Sequence, residues 1–143
     1  MKVNIKRLTQ KATLPKFSTD GSVGADLYAC VEQPIVLAAA QRALIPTGLS
    51  IELPVGYGGF VFARSSLASK HGISLSNCVG VIDSDYRGEL KVAVINHSDT
   101  EYCINHGDRI AQLVVMPYVK ADYIETKELT QTTRIGGFGS TGI

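Results

Sequence analysis

Cysteine and histidine are scarce in this sequence and badly spaced for metal or disulfide chemistry. Cys30, Cys78 and Cys103 lie far apart, with no Cys-x-x-Cys pair and no Cys/His cluster. That pattern argues against a zinc site or a disulfide framework and reads as reduced, structural thiols. His71, His97 and His106 each sit beside turn residues, no two at metal-ligand spacing, and read as solvated loop histidines. Long apolar runs are missing too: none approaches the roughly 18 residues of a membrane helix. Met1 to Arg7 leads into no apolar signal-peptide region. Nor is there charge of one sign, since 14 basic and 13 acidic residues leave a formal net charge of +1. A nucleic-acid surface usually shows a basic stripe; a local site for one compact anion remains open. No nucleic-acid or membrane partner is expected, and the chain reads as a soluble, cytoplasmic protein.

What is present is ordinary globular material, 45% hydrophobic and 19% charged over 143 residues. One domain is expected, and a chain of this length buries roughly 68–70% of its unfolded surface. Apolar and polar residues alternate along much of it. Val3 and Ile5 alternate with Lys2, Asn4 and Lys6; Leu49, Ile51 and Leu53 with Gly48, Ser50 and Glu52; Leu90, Val92 and Val94 with Lys91, Ala93 and Ile95. Phe60 and Phe62 share a face. This is the period of half-buried strands. Turn clusters separate them at Thr19-Asp20-Gly21-Ser22, 54–59, 96–99 and 105–108. Many short strands with frequent turns predict an all-β sandwich, barrel or jelly roll. A helix is expected only over Ser65–Gly72, with capping-type residues in front, a basic last turn and a closing glycine. Residues 121–131 could hold a short turn, a strand or a loop. Residues 1–129 are read as the β domain and 130–143 as a flexible Gly-rich C-terminal arm.

Five segments carry residues that a strand alone does not need. Gly80-Val81-Ile82-Asp83-Ser84-Asp85-Tyr86-Arg87-Gly88-Glu89-Leu90 packs carboxylates, a ring and a guanidinium between glycines that permit a bend and a close approach. Arg134-Ile135-Gly136-Gly137-Phe138-Gly139-Ser140-Thr141-Gly142 could turn successive backbone N–H groups toward one anion. It lacks the spacing and lysine of a Walker loop. Composition alone would make it a solvated tail; the embedded Phe138 argues for stacking on a planar group. Ala63-Arg64-Ser65-Ser66 sets an arginine at a helix start, which suits phosphate or plain capping. Ser22-Val23-Gly24-Ala25-Asp26-Leu27-Tyr28-Ala29 places Asp26 inside an otherwise apolar strand, where a carboxylate needs a partner, either an arginine or the surroundings of a divalent cation. Gln112 shares a face with Ile110 and Val114 and needs a hydrogen-bond partner in backbone or ligand. Asp108 and Arg109 read as turn and ion-pair residues. Ser65 and Ser66 lack the His/Asp companions of a hydrolase triad.

In this order and spacing the five segments closely resemble the motifs of the trimeric dUTPase family, over essentially the whole chain. The strongest matches are Gly80 to Gly88 and Gly137 to Gly142. The resemblance implies a jelly-roll subunit and a homotrimer. It implies hydrolysis of dUTP to dUMP and pyrophosphate, which lowers dUTP and supplies dUMP for thymidylate synthesis. Sites of this kind lie at subunit interfaces, with one subunit's tail closing over a pocket made by the others. Asp83 and Asp85 would share a strand face, and spacing does not separate them; the resemblance makes Asp83 the general base that activates water for in-line attack on the α-phosphorus. It places Tyr86 under the deoxyribose, leaving no room for a 2′-hydroxyl, and Asn77 at the uracil. The backbone around 77–82, including Gly80, Val81 and Ile82, would read the base edge. Arg64, Ser65, Ser66 and Gln112 match phosphate-side positions. Asp26 matches an acid that holds Mg2+ through water. Phe138 would stack on uracil, with Gly139, Ser140 and Thr141 at the γ end and Arg134 toward the γ-phosphate. The tail departs from the usual Arg-Gly-x-Gly-Gly-Phe-Gly: Arg134 stands one residue nearer to Gly-Gly-Phe, with Ile135 for the flexible spacer.

Two other readings compete. A dCTP deaminase shares the fold but usually involves a catalytic glutamate, for which Glu89 is the candidate beside the motif. A non-catalytic nucleotide-binding jelly roll would be favoured if Asp83 or the tail were missing, and both are present.

Overall fold

A computed structural model describes residues 1–133 and 136. Arg134, Phe138, Gly139, Ser140 and Thr141, assigned above to the closing arm, lie outside the described residues. Strands β1 (Asn4–Arg7), β4 (Arg42–Glu52), β8 (Glu89–Asn96) and β6 (Ile73–Leu75) form one sheet, in the order β1-β4-β8-β6. A second sheet joins β2 (Ala25–Tyr28), β10 (Arg109–Pro117), β5 (Tyr57–Phe62) and β7 (Gly80–Ile82), in the order β2-β10-β5-β7. Strands β3 (Ile35–Leu37) and β9 (Tyr102–Ile104) pair separately. All these pairings are antiparallel, and strands distant in sequence lie side by side, as in a jelly roll.

The inner faces of the two large sheets share one aliphatic core. Leu90, Val92 and Val94 are buried on β8 while Lys91 faces out, as alternation requires. Leu27, Val61, Ile82 and Leu113 meet them from the second sheet. Two strands depart from simple alternation. Strand β4 is buried on both faces from Thr47 to Ile51, because neighbouring segments cover its polar side. Thr47 donates to the Leu90 carbonyl at 2.6 Å and Ser50 to the Arg87 carbonyl at 2.8 Å. Strand β10 carries a register shift between Arg109 and Ala111, so Ile110 and Ala111 are both buried and Gln112 falls on the half-exposed face opposite Leu113. Ile110 and Gln112 therefore do not share one environment, as strict alternation predicted; a bulge adds the extra residue.

The one helix among the described residues, α1 (Ser65–His71), is where the sequence placed it, with Lys70 and His71 in its last turn and Gly72 as C-cap. The capping-type front is different: the N-cap is Arg64, and no side chain caps the helix there. Residues 118–133 contain neither helix nor strand and are exposed. Cys30, Cys78 and Cys103 are free. Cys30 alone among them is partly buried, and desolvation, reinforced by the Glu89 carboxylate, pushes its thiol above the ordinary range. Cys78 and Cys103 are exposed, so structural burial describes only one of the three thiols.

Candidate active site

The connection from β6 to β7 crosses from one sheet to the other and builds a wall of the first cleft. Cys78 takes a φ of 61°, and the Val79 N–H donates to the Asn77 carbonyl at 2.6 Å. Strand β7 then pairs with β5, Val61 against Gly80 and Gly59 against Ile82. Ile82 points into the core, which turns Val81 outward and lets Asp83 emerge at the strand end with its side chain in solvent. The chain turns at once: the Tyr86 N–H donates to the Asp83 carbonyl at 3.1 Å. The Arg87 guanidinium fastens this turn from below, donating to the Ser84 and Tyr86 carbonyls at 2.7 and 3.0 Å and pairing with Glu52 at 3.4 Å. The Tyr86 hydroxyl donates to the Glu89 carbonyl at 2.9 Å.

Asn77, Gly80, Val81, Ile82, Asp83 and Tyr86 line one cleft of about 290 Å³. Ile82 as a whole residue is 8% exposed. Glu89 also borders the cleft, but its carboxylate accepts from the Gly48 N–H at 2.9 Å and pairs with Lys91 at 3.5 Å. It holds β8 to β4, which is not the arrangement of a free catalytic acid.

A second cavity, of about 250 Å³, gathers Asp26, Arg64, Ser65, Ser66 and Gln112. Asp26 is 7% exposed on β2. Its Oδ1 accepts from Arg64 Nε at 2.9 Å; its Oδ2 accepts from Arg109 Nη1 at 3.2 Å and Ser18 Oγ at 3.1 Å. Two guanidiniums against one carboxylate leave positive charge beside the cavity, as a phosphate site needs. Arg64 also donates to the Arg109 carbonyl at 3.4 Å, so its orientation is set at two points. Gln112 donates to the Ala63 carbonyl at 3.1 Å, a backbone partner, and its oxygen lies where a side chain on Gly24 would be, 2.7 Å from an added Cβ.

Sequence reasoning missed Ser18 and Ser22, which line this cavity, and gave Arg109 only a generic ion-pair role. The turn cluster at 19–22, four to seven residues ahead of Asp26, was the available signal.

The two clefts share no lining residue. Asp26 is on β2 and Asp83 follows β7, the opposite edges of one four-stranded sheet. Three strand spacings separate those edges by about 14 Å.

Among the described residues, no three His, Cys, Asp or Glu side chains cluster as a metal site would. With both Asp26 oxygens engaged by arginine, direct ligation of Mg2+ does not fit. Attachment through water does: an ionised carboxylate has about four acceptor positions, and three are used. Mg2+ commonly keeps several waters and leans on substrate phosphates.

The dUTPase family profile matches residues 10–142. The chain is 48% identical to the deoxyuridine 5′-triphosphate nucleotidohydrolase of Hydrogenobaculum sp. over 144 residues, covering all of this chain and 99% of the relative. Its fold resembles the dUTPase of Staphylococcus bacteriophage 80alpha solved with dUPNHPP, with a TM-score of 0.89, 25% identity and 99% of both chains covered. It also resembles a variant dUTPase from phage phi11 of S. aureus, solved with a structural Mg(II) ion, with a TM-score of 0.82 and 23% identity over 92% of this chain and 100% of that one.

Proposed function

The chain belongs to the dUTPase family and hydrolyses dUTP to dUMP and pyrophosphate, and we propose that Asp83 carries the chemistry in a site shared between subunits of a homotrimer. The observation that carries this reading is the sorting of the candidate residues into two clefts at opposite edges of one sheet. One cleft has the chemistry for base, sugar and water; the other has the chemistry for phosphate. A symmetric assembly that sets the first cleft of one subunit against the second of its neighbour completes the site.

In that site the backbone of 77–82 and the Asn77 side chain read uracil, and Tyr86 lies under the deoxyribose. Arg64, Ser65, Ser66 and Gln112 hold the triphosphate, helped by the uncapped start of α1. Asp83 accepts a proton from water as its oxygen attacks the α-phosphorus. A new P–O bond forms, the bridging bond to the β-phosphate breaks in line, and pyrophosphate leaves. Asp26 and the waters around it would hold Mg2+, which supplies charge neutralisation to the triphosphate when bound. Arg134, Phe138, Gly139, Ser140 and Thr141 of the arm 130–143 close over the nucleotide. Among the described residues no helix is long and apolar enough to cross a membrane, and three free thiols suit a reducing cytoplasm.

A pyrophosphate-release assay with dUTP, dTTP, dCTP and UTP tests this reading. Release from dUTP well above the other three is expected. Ammonia from dCTP would make the protein a deaminase instead, and dUTP binding without pyrophosphate release would reduce it to a binding module.

A further inference from the structure

Gly88 stands two residues past Tyr86, and its backbone does not explain why it is glycine. Its φ lies outside the left-handed region, unlike those of Gly48, Gly56, Gly72 and Gly107. The space around it does. A Cβ built on Gly88 falls 2.6 Å from Tyr86 Cζ and 2.9 Å from Cε2, and nearer still to the hydroxyl oxygen. The hydroxyl reaches past residue 88 to the Glu89 carbonyl, so the ring lies across Gly88 while remaining 44% exposed at the cleft.

We propose that Gly88 is a specificity-determining position that acts through Tyr86: the missing side chain at 88 seats the ring, and the seated ring forms the floor that admits a 2′-deoxyribose and refuses a ribose. The inference rests on the assignment of Tyr86 to the sugar. The backbone on either side of 88 cannot easily yield to an added methyl group. The Arg87 carbonyl accepts from Ser50 Oγ at 2.8 Å, and Glu89 pairs in register with Ser50 on β4. The ring is the part free to move, because among the described residues its one polar tether is the hydroxyl bond that the methyl group crowds. Unseated, it leaves the floor open: dUTP loses packing and UTP gains room.

The test is kcat/KM for dUTP and for UTP, read by pyrophosphate release, in the natural protein, Gly88→Ala, Tyr86→Ala and the double variant. Gly88→Ala should lower the dUTP-to-UTP ratio about tenfold, and Tyr86→Ala at least as much. The double variant should match Tyr86→Ala, because the two positions act as one unit. An unchanged ratio in Gly88→Ala while Tyr86→Ala relaxes it overturns the inference and leaves the role of Tyr86 standing. A Gly88→Ala effect as large in the Tyr86→Ala background as in the natural protein also overturns it. If Tyr86→Ala keeps the ratio, the assignment of Tyr86 fails first and takes the inference with it. Should Gly88→Ala not fold, the double variant, which lacks the ring, must fold as well as Tyr86→Ala; its failure to do so overturns the proposal.

Discussion

Asp83 and Asp26 are the same side chain put to opposite uses by their surroundings. Asp83 follows a strand whose last residue is anchored in the core, so its carboxylate is positioned by backbone yet open to water. Replacing it by Asn removes the proposed proton acceptor and little else. Turnover should fall about 10²–10⁴-fold, the usual worth of a general base. Calorimetric titration with a non-hydrolysable dUTP analogue should find affinity nearly unchanged; a matching loss of binding would make Asp83 a binding residue. Asp26 is enclosed and holds Arg64 and Arg109 together. Asp26→Asn weakens two charge-assisted bonds and leaves both guanidiniums under-compensated, at a cost of about 1–3 kcal/mol. A lower denaturation midpoint should accompany a higher KM for dUTP, since Arg64 loses the tether that aims it. Loss of kcat with KM and stability unchanged would contradict that. The residue types were legible in the sequence, and so was the need of Asp26 for a partner. The identities of Arg109 and Ser18 as partners were not, because they lie 83 and 8 residues away in the chain and only the folded register brings them to one carboxylate.

Strands announced themselves by period, and their deviations by nothing local. Leu90, Val92 and Val94 are buried as alternation predicts, whereas the bulge in β10 and the double-sided burial of β4 depend on neighbours distant in sequence. Gly48 shows how one element supports the loop of Asp83 and Tyr86 on another. It has a φ of 68°, its N–H donates to Glu89, and an added Cβ would lie 2.9 Å from both Ala12 Cβ and Thr9 Cγ2 and 3.0 Å from Cys30 Sγ. Gly48→Ala therefore combines left-handed strain with overpacking, at a cost of about 2–4 kcal/mol. Thermal unfolding should register the loss as a lower midpoint. Because Glu89 also receives the Tyr86 hydroxyl on its carbonyl, discrimination against UTP should weaken with it; a stable variant would show that β4 can yield at this point. Helix α1 was legible for the opposite reason. Its basic last turn and closing glycine are local signals, and only its uncapped start, which faces the phosphate-side cavity, needed the fold to be seen.

At the scale of the whole molecule, each chain carries both clefts, and in the proposed site neither is complete alone. Among the described residues, Arg64, Ser65, Ser66 and Gln112 do not line the cleft of Asp83, and Asp83 does not line theirs. The motifs were readable along the chain, but linear order carries no information about which copy supplies each one. Subunit mixing decides this. Asp83→Asn and Arg64→Ala subunits should each be nearly inactive alone. Unfolded together in equal amounts and refolded, they should form mixed assemblies with a mass three times 15.3 kDa by light scattering. A site that takes its aspartate from one subunit and its arginine from another is intact when both come from the unmutated positions. With random assembly that occurs about one time in four, so about a quarter of the natural activity should return. If both groups came from the same chain, every site would carry one defect and mixing would restore nothing. Recovery near a quarter, rising and falling with the proportions mixed, would locate catalysis between subunits without reference to any crystal.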